Sequence, residues 1–169
     1  MNDQTPTRIA FDQALGILRE VAHAHRLERE LLALPRCHGR VLAGDVVAPI
    51  ALPTFDNSAM DGFAFRHVDL DADTGGLLRL AGEQFAGVAT GQGIVAGECL
   101  GITTGAPMPP GADTVAIIED CTREADHVRL PGTLPLGANV RMAGEDVAEG
   151  DLVLRAGHVL TPMRVSLAA

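Results

Sequence analysis

Several kinds of residue are scarce or missing in this sequence, and each absence excludes a class of function. There is no Trp and no Tyr, and five Phe make up the whole aromatic content. A platform on which a planar heterocycle or a base could stack is therefore poorly supplied. No apolar run approaches the roughly 18 residues that a membrane-spanning helix needs. Acidic residues outnumber Lys and Arg by 22 to 13, the net charge is −9, and no basic stripe is present, which argues against nucleic-acid binding.

Cysteine usage and the N-terminus both bear on the compartment. Cys37, Cys99 and Cys121 are odd in number, widely spaced and not part of any CxxC pair. This pattern argues against a structural zinc site and against a disulfide framework, so we predict buried free thiols. The N-terminus, which includes Asp3 and Pro6, shows no basic region followed by an apolar core, as a secretory signal would. We therefore expect a cytoplasmic protein.

The length and the periodicity predict an α+β organisation that is mostly β. A chain of 169 residues suits one domain or two small lobes. Phe11, Leu15, Leu18 and Val21 lie at helical spacing and predict a helix over residues 11–21. Short apolar segments separated by Gly- and Pro-rich turns predict strands. The predicted strands cover residues 30–34, 45–50, 63–65, 77–81, 98–102, 114–119 and 127–130, and a turn–strand–turn unit covers residues 149–157.

Three local signals complete this prediction. Residues 37–42 are expected to form a helical turn. A GxGxxxG pattern beginning at Gly91 misses the dinucleotide-binding fingerprint by one spacing, and we interpret it as a hairpin turn. Thr161 followed by Pro162 is typical of a helix start, with Thr as the N-cap and Pro at the first helical position. Because the sequence stops soon afterwards, we expect a chain that is cut where a larger protein would continue.

The densest chemistry lies in residues 53–62, PTFDNSAMDG, where proline and glycine at the ends indicate a shaped loop. Asp56 and Asp61 are hard oxygen donors that suit a hydrated Mg²⁺ or the orientation of a water molecule. Asn57 and Ser58 would then shape the loop between them. The alternative is equally open at this point, because Asp, Asn and Ser also form caps and turns by bonding to their own backbone.

A second segment, residues 101–113, runs from an apolar stretch through two threonines into a Pro-rich loop. Thr104, before Gly105, offers a hydroxyl and nearby backbone N–H groups, which is how short loops bind phosphate or another oxyanion. The alternative interpretation is a capped strand end followed by a stiff turn.

The third segment, residues 139–147, contains one cation among carboxylates. Arg141 could bind an anionic substrate in bidentate fashion. It could equally pair with Glu145 or Asp146 and hold two lobes together.

At these three segments the sequence resembles the molybdopterin molybdenumtransferase family, which includes bacterial MoeA and the E domain of gephyrin. The segments PTFDNSAMDGFAFR, TTGAPMPPGADTVAIIED and NVRMAGEDVAEGDLVLRAG match the N-terminal signatures of the family in order and spacing. The resemblance covers essentially the whole chain. It implies a discontinuous α/β first lobe, residues 1–46 and 137–169, with a β-rich lobe, residues 47–136, inserted into it. Residues 137–169 would run into a truncated connecting helix.

The resemblance also implies a reaction. Members of the family insert molybdate into adenylated molybdopterin with Mg²⁺, release AMP and so produce molybdenum cofactor. Carried over by position, the functional aspartate falls on Asp61, which would also hold the metal, and the functional threonine falls on Thr104. Members form homodimers with the active cleft between subunits, so this chain would supply half of a site. The further predicted site residues are Asp56, Asn57, Ser58, Gly105, Arg141, Glu145 and Asp146.

Two departures from the family pattern limit this expectation. The pterin- and nucleotide-binding domain and the C-terminal β domain have no counterpart in these 169 residues, so we expect the isolated chain to be inactive. Met142 stands where many members carry a basic residue. The alternative is a non-catalytic dimerisation or scaffold module of the same family, with Phe11, Leu15 and Leu18 as candidate contacts. A carrier-type β-barrel is disfavoured, because a modifiable lysine between paired turns is missing.

Overall fold

The computed structural model describes residues 8–25, 27–71, 75–88 and 90–169, so Asp3 and Pro6 lie outside the described residues. The chain divides into two compact units. The first unit comprises Met1–Gly44 and Ala156–Ala169, and the second unit comprises Asp45–Arg155. Among the described residues no helix is both long enough and apolar enough to cross a lipid bilayer.

The helices and strands are named in chain order. They are α1 (Phe11–Ala24), β1 (Val46–Val47), β2 (Asn57–Ser58), β3 (Gly62–Phe65), β4 (Leu77–Gln84), β5 (Glu98–Ile102), β6 (Thr114–Ile117), β7 (Thr122–Glu124), β8 (His127–Arg129), β9 (Val140–Arg141), β10 (Leu152–Leu154) and α2 (Pro162–Leu167). Three short 3₁₀ turns cover Leu34–Arg36, His67–Asp69 and Ile118–Asp120. The predicted class, α+β and mostly β, is confirmed.

The first unit contains the two helices and a short bridge. Helix α1 has no buried residue, and its apolar side chains Phe11 and Leu18 are 78% and 66% exposed. An isolated bridge between Val41 and Val159 ties the two halves of the unit together. At α2 the Thr161 hydroxyl accepts a hydrogen bond from the backbone N–H of Arg164 at 3.4 Å, so the predicted cap-and-proline start is confirmed.

The second unit is organised around a six-stranded sheet with the strand order β6-β3-β5-β4-β8-β7. Strand β3 alternates along its length, as a buried strand does. Phe63 and Phe65 face one apolar cluster and Ala64 faces another. The first cluster contains Phe63, Phe65, Leu78, Cys99, Ala116, Val128 and Leu130, and the second contains Ala64, Ile102, Ala106 and Val115. Each fully buried large side chain contributes about 1.5–3 kcal/mol, so these clusters are the main source of stability in this unit.

Two smaller ribbons complete the second unit. Strand β2 pairs antiparallel with β9, and β1 pairs antiparallel with β10. These pairings place residues 137–155 in the same unit as the large sheet. The predicted lobes, residues 1–46 with 137–169 and residues 47–136, stay a prediction. The two compact units have nearly the same first boundary, before residue 45, but their second boundary lies after residue 155.

Several predicted elements are wrong or shifted. Residues 30–34 form no strand, and the helical turn expected over residues 37–42 lies earlier, at Leu34–Arg36. The strand expected over residues 45–50 shrinks to β1, and the one over residues 114–119 ends in a 3₁₀ turn. Proline accounts for part of this, because it lacks an N–H to donate to a strand ladder. Strands β2, β7 and β9 are too short for any periodicity to reveal.

The hairpin turn predicted at Gly91 is also wrong. Strands β4 and β5 run parallel, with a bulge between Leu80 and Gly82, so residues 85–88 and 90–97 belong to a crossover connection. Parallel neighbours cannot be joined by a tight hairpin. The glycines of this segment therefore lie in an irregular loop and not in a tight hairpin turn.

Candidate active site

The three segments singled out in the sequence meet in the second unit. Residues of β2 lie between β9 on one side and the loop after β5 on the other. The Ser58 N–H donates to the Ala106 carbonyl at 3.0 Å, and the Gly105 N–H donates back to the Ser58 carbonyl at 2.8 Å. Asn57 stands opposite Arg141 in the β2–β9 register. A two-residue strand thus joins all three segments through backbone hydrogen bonds.

Asp61 and Thr104, the two predicted catalytic residues, are in direct contact. Oδ1 of Asp61 accepts two hydrogen bonds from Thr104, one from the backbone N–H and one from the hydroxyl, each at 2.7 Å. The backbone N–H first, and then the hydroxyl, lower the pKa of Asp61 below its ordinary value, because both stabilise the carboxylate. Oδ2 receives no hydrogen bond from the described part of the chain. Asp61 is therefore an exposed, ionised group with one oxygen available to a ligand.

Asp56, Asn57 and Ser58 bond to nearby backbone. Oδ1 of Asp56 accepts from the Ala143 N–H at 2.7 Å. Nδ2 of Asn57 donates to the Phe55 carbonyl at 3.1 Å, and the Ser58 hydroxyl donates to the Met60 carbonyl at 2.6 Å. Asn57 and Ser58 are buried. The Asn57 and Ser58 contacts are the local ones that the turn-forming interpretation describes, whereas the Asp56 contact joins the loop to a distant segment. Together they fix the shape of the loop that carries Asp61.

Arg141 is held by carboxylates of its own segment. Its guanidinium lies 2.5 Å from Oδ2 of Asp146 and 3.5 Å from Oε1 of Glu145. The hydrogen bond and charge of Asp146 raise the pKa of Arg141, with Glu145 adding to the same effect. Glu145 also accepts from the Met142 N–H at 3.1 Å. All of these residues belong to the second unit.

The predicted residues border two separate grooves in the second unit. The first groove has a volume of about 420 Å³, and its lining combines Arg141 and its partner Asp146 with an apolar wall. The residues that line the first groove are Leu52, Pro53, Thr54, Phe55, Asn57, Gly105, Arg141 and Asp146.

The second groove has a volume of about 200 Å³ and contains Asp61. The residues that line it are Asp61, Gly62, Phe63, Leu80, Glu83, Phe85, Gly101, Ile102, Thr103, Ile118 and Arg123. Asp61 and Thr104, the two predicted catalytic residues, are thus brought together beside this groove. Asn57, Gly105, Arg141 and Asp146 line the other one, while Thr104, Asp56, Ser58 and Glu145 line neither.

The donor set allows a limited role for a divalent cation. Among the described residues there is no group of three or more His, Cys, Asp or Glu side chains placed to hold a metal ion. Mg²⁺ is commonly held by one or two carboxylates together with waters and substrate phosphates. The second oxygen of Asp61 fits that kind of attachment, in which the ligand completes the coordination.

Three residues of the second groove were missed by sequence reasoning. Glu83 and Phe85 lie on and after β4, and Arg123 lies on β7. None belongs to a motif, and β7 itself was not predicted. The one available signal was charge, since Arg123 is a cation in an acidic chain.

Comparisons with known proteins identify the family of this chain. The family described as the MoeA N-terminal region, domains I and II, matches residues 9–169. A molybdopterin molybdenumtransferase from Haemophilus influenzae is 39% identical over 143 residues, which cover 84% of this chain and 35% of the relative. Molybdopterin molybdenumtransferase 2 from Mycobacterium tuberculosis is 40% identical over 158 residues, or 89% of this chain and 38% of the relative.

A solved structure is similar over nearly the whole chain. The crystal structure of a molybdopterin biosynthesis moeA protein from Pyrococcus horikoshii OT3 superimposes with a TM-score of 0.85 at 31% identity, covering 95% of this chain and 43% of that one. The chain spans less than half the length of these relatives. Since the family match takes in all but the first eight residues, the chain belongs to the family of the MoeA N-terminal region, domains I and II.

Proposed function

We propose that this chain acts in molybdenum cofactor biosynthesis, as the N-terminal module of a molybdopterin molybdenumtransferase. The reaction would insert molybdate into adenylated molybdopterin and release AMP. The names of the relatives from Haemophilus influenzae and Mycobacterium tuberculosis support this assignment. Because the chain spans 35% and 38% of those relatives, we propose the activity for a parent transferase and expect the isolated chain to be inactive.

The observation that carries the proposal is the double hydrogen bond from Thr104 to Asp61 beside the second groove. A hydroxyl and a backbone N–H that hold one carboxylate oxygen fix the direction of the other. The Asp61 carboxylate would thus be oriented before the substrate arrives, and orientation of this kind lowers the cost of reaching the reactive geometry. Thr104 orients Asp61 in this proposal, and Asp61 faces the ligand.

Mg²⁺ is part of the proposal, with Asp61 as the residue that holds it or its water. When bound there, the ion would offset the negative charge of the phosphate and molybdate oxygens. Asp61 stays ionised at neutral pH, because its pKa is lowered, and so remains a ligand for a hard cation throughout the physiological range.

The proposed site is half of an active site that another subunit completes. A 200 Å³ groove is small for a pterin joined to a nucleotide, since ligand pockets usually measure about 300–1,000 Å³. We therefore propose a homodimer in which this unit faces the pterin-binding domain of the other subunit. A cytoplasmic location without a nucleic-acid partner is part of the same proposal, supported by the net charge of −9.

A chimera tests the function directly. Residues 9–169 would replace the matching N-terminal region of the Haemophilus influenzae relative, and molybdenum cofactor formation would be measured with purified protein, molybdate and Mg²⁺. We expect the chimera to be active and its Asp61→Asn variant to lose activity by about 100-fold or more, as loss of an oriented ligand or base usually does.

The matched control is Asp120→Asn, the same change at an exposed aspartate of the same unit outside both grooves. The control should keep full activity, and both variants should show the same folded circular dichroism spectrum. Equal activity of the Asp61→Asn variant and the unchanged chimera would exclude Asp61 from the reaction.

A second candidate function rests on α1. Its apolar residues Phe11, Leu18 and Val21 are exposed and lie at helical spacing. A non-catalytic module that dimerises through this face would bury them. Sedimentation of the purified chain, together with the activity of the chimera, distinguishes the two candidates. The scaffold is favoured if the chain forms a dimer that Leu18→Glu dissociates and the chimera is inactive.

A further inference from the structure

Arg123 differs from the other arginines near it. In the second unit Arg66, Arg79, Arg129 and Arg141 each form an ion pair with a carboxylate of the same unit. The side chains of Arg123 and Arg155 form no hydrogen bond and no ion pair with the described residues, and of these two only Arg123 lines a groove. A guanidinium carries five donors in a planar fork that fits an oxyanion. An unpaired guanidinium that lines a groove is therefore available to a ligand.

The path of the chain explains how Arg123 reaches the second groove. Strand β6 lies at one edge of the six-stranded sheet and β7 lies at the other, yet only residues 118–121 connect them. Four residues are too few to cross a flat six-stranded sheet, so the sheet curves and brings these two edges towards each other. The connection begins at Ile118, whose N–H donates to the Asp61 carbonyl at 3.0 Å. Arg123 is the second residue of β7, opposite Val128, and lines the same groove as Asp61.

The floor of the second groove is open because it is built on glycine. Gly101 lines the groove, and a Cβ at this position would lie 3.3 Å from Cγ of Glu83, closer than most real contacts. The apolar side chains Phe85 and Ile118, 52% and 49% exposed, stand at its border. The groove thus combines one cation with an apolar edge.

The charges along the groove define what can bind. Asp61 and Glu83 are acidic and Arg123 is the one basic residue among those that line it. An anion entering this groove would be repelled by two carboxylates, so it needs either a bridging cation or a direct contact with Arg123. A tetrahedral oxyanion can accept two parallel N–H donors from a guanidinium.

We propose that Arg123 is the anion-binding residue of the second groove and that it binds a tetrahedral oxyanion, either a phosphate group or molybdate. This inference rests on the proposed function for its ligand class and adds a residue that decides specificity. Phe85 and Ile118 would contact the apolar part of a larger ligand that carries the oxyanion. The oxyanion would bind to the guanidinium of Arg123, and a divalent cation held by the Asp61 carboxylate would offset the charge of the anion from the other part of the groove.

The test uses the purified 169-residue chain and NMR. Backbone amide shifts would be followed while sodium molybdate or inorganic phosphate is added in separate titrations, with and without Mg²⁺, at constant ionic strength. We expect saturable shifts at residues 101–103, 118 and 123 with at least one of the two anions. Saturation with molybdate alone, phosphate alone or both identifies which tetrahedral oxyanion the groove accepts.

The variants distinguish a specific contact from general charge. We expect Arg123→Gln to weaken binding roughly tenfold, because a charge-assisted bidentate contact is lost, and Arg123→Lys to weaken it less. The control is Arg155→Gln, which removes the same charge from the same unit, lines neither groove and forms no ion pair with the described residues. Unchanged binding in the control supports the proposal.

Three results would overturn the proposal. These are the absence of saturable shifts with both anions, equal weakening by Arg123→Gln and Arg155→Gln, and shifts that map to the first groove. The same variants in the chimera keep this test separate from that of the proposed function. One outcome would support the proposed function and exclude the role of Arg123. In that outcome Asp61→Asn abolishes cofactor formation, while Arg123→Gln leaves the KM for molybdate and for adenylated molybdopterin unchanged.

Discussion

The two grooves of the second unit show how differently one chain can use the same kind of residue. In the first groove the cation Arg141 is paired with Glu145 and Asp146, which come four and five residues later in the sequence. In the second groove the cation Arg123 has no such partner among the described residues, and the carboxylate of Asp61 is held by neutral donors instead.

This difference has a consequence for binding. An arginine that is already paired must break that pair before it can bind an anion, whereas an unpaired one has no such competition. The first groove, which is the larger and contains most of the motif residues, is therefore the poorer anion site. The smaller second groove combines a guanidinium that is unpaired among the described residues with an oriented carboxylate, which is why we propose it as the anion site.

The largest effect expected concerns the glycines that shape the two grooves. Gly62 lines the second groove on β3, and a Cβ there would lie 1.9 Å from the Ala116 carbonyl oxygen of β6. Gly62→Ala should destabilise the second unit by more than about 4 kcal/mol, a loss that only severe steric or packing faults produce. Since small domains have about 5–15 kcal/mol in total, this change should remove about a quarter or more of the stability and lower the urea midpoint accordingly. Urea denaturation followed by NMR would measure this.

The matched change in the first groove is Gly105→Ala. Gly105 has a φ of +80°, but a Cβ there would meet nothing within 4 Å. The cost should be about 1–2 kcal/mol, the usual penalty for a left-handed residue with a side chain. A Gly62→Ala variant that is as stable as Gly105→Ala would show that β3 and β6 are not closely packed at this point.

A second prediction tests whether the ion pairs of Arg141 prevent an anion from binding in the first groove. The double change Glu145→Gln with Asp146→Asn removes the charge from both partners of Arg141 while keeping their shapes. We expect molybdate binding at the first groove to become roughly tenfold tighter, because two repelling charges close to the anion are lost. Amide shifts at residues 55, 57, 105 and 141 would report binding.

The control for this change is Glu119→Gln with Asp120→Asn, an adjacent acidic pair in the same unit that lines neither groove. It alters the net charge equally. If both double variants strengthen binding at the first groove to the same extent, the effect is one of net charge and the pairing of Arg141 is irrelevant.

The sequence predicted the contents of the first groove better than those of the second, for a physical reason. The residues of the first groove and the Asp61–Thr104 pair come from motifs whose spacing is visible in the chain. Glu83, Phe85 and Arg123 come together because β4 and β5 are parallel and because a short connection joins β6 to β7 at the opposite edge of the curved sheet. Neither feature has a local signal, and the parallel pair was mistaken for a hairpin at Gly91.

The fold class and the longer strands were predictable because apolar alternation reflects burial. Strand β5 was predicted with its observed bounds, since Cys99, Leu100 and Ile102 are all buried. The two-residue strands β2 and β9 have no periodicity to detect, and they exist because tertiary pairing holds them. The role of Asp61, in contrast, was expected from a motif, while its contact with Thr104 needed the structure.

The smallest effect expected is a change in the pKa of Asp61. It tests whether neutral hydrogen-bond donors hold this carboxylate, in contrast to the ion pairs that hold Arg141. The Thr104 N–H lowers this pKa more than the hydroxyl does. In a Thr104→Val variant the N–H remains, so the pKa should rise but stay below the ordinary value of 3.8. Carboxyl ¹³C titration by NMR would measure both values, and added salt should change them little, because hydrogen bonds are screened less than surface ion pairs.

The sign of the accompanying stability change follows from linkage. A carboxyl whose pKa is lower in the folded state stabilises the protein above its unfolded pKa, and that contribution disappears as the pH falls through the folded value. The stability difference between the unchanged chain and Asp61→Asn should therefore be largest near about pH 7 and shrink once the pH falls below about 4. A pKa of Asp61 at or above 3.8, or a difference that grows in acid, would show that Thr104 does not hold this carboxylate in solution.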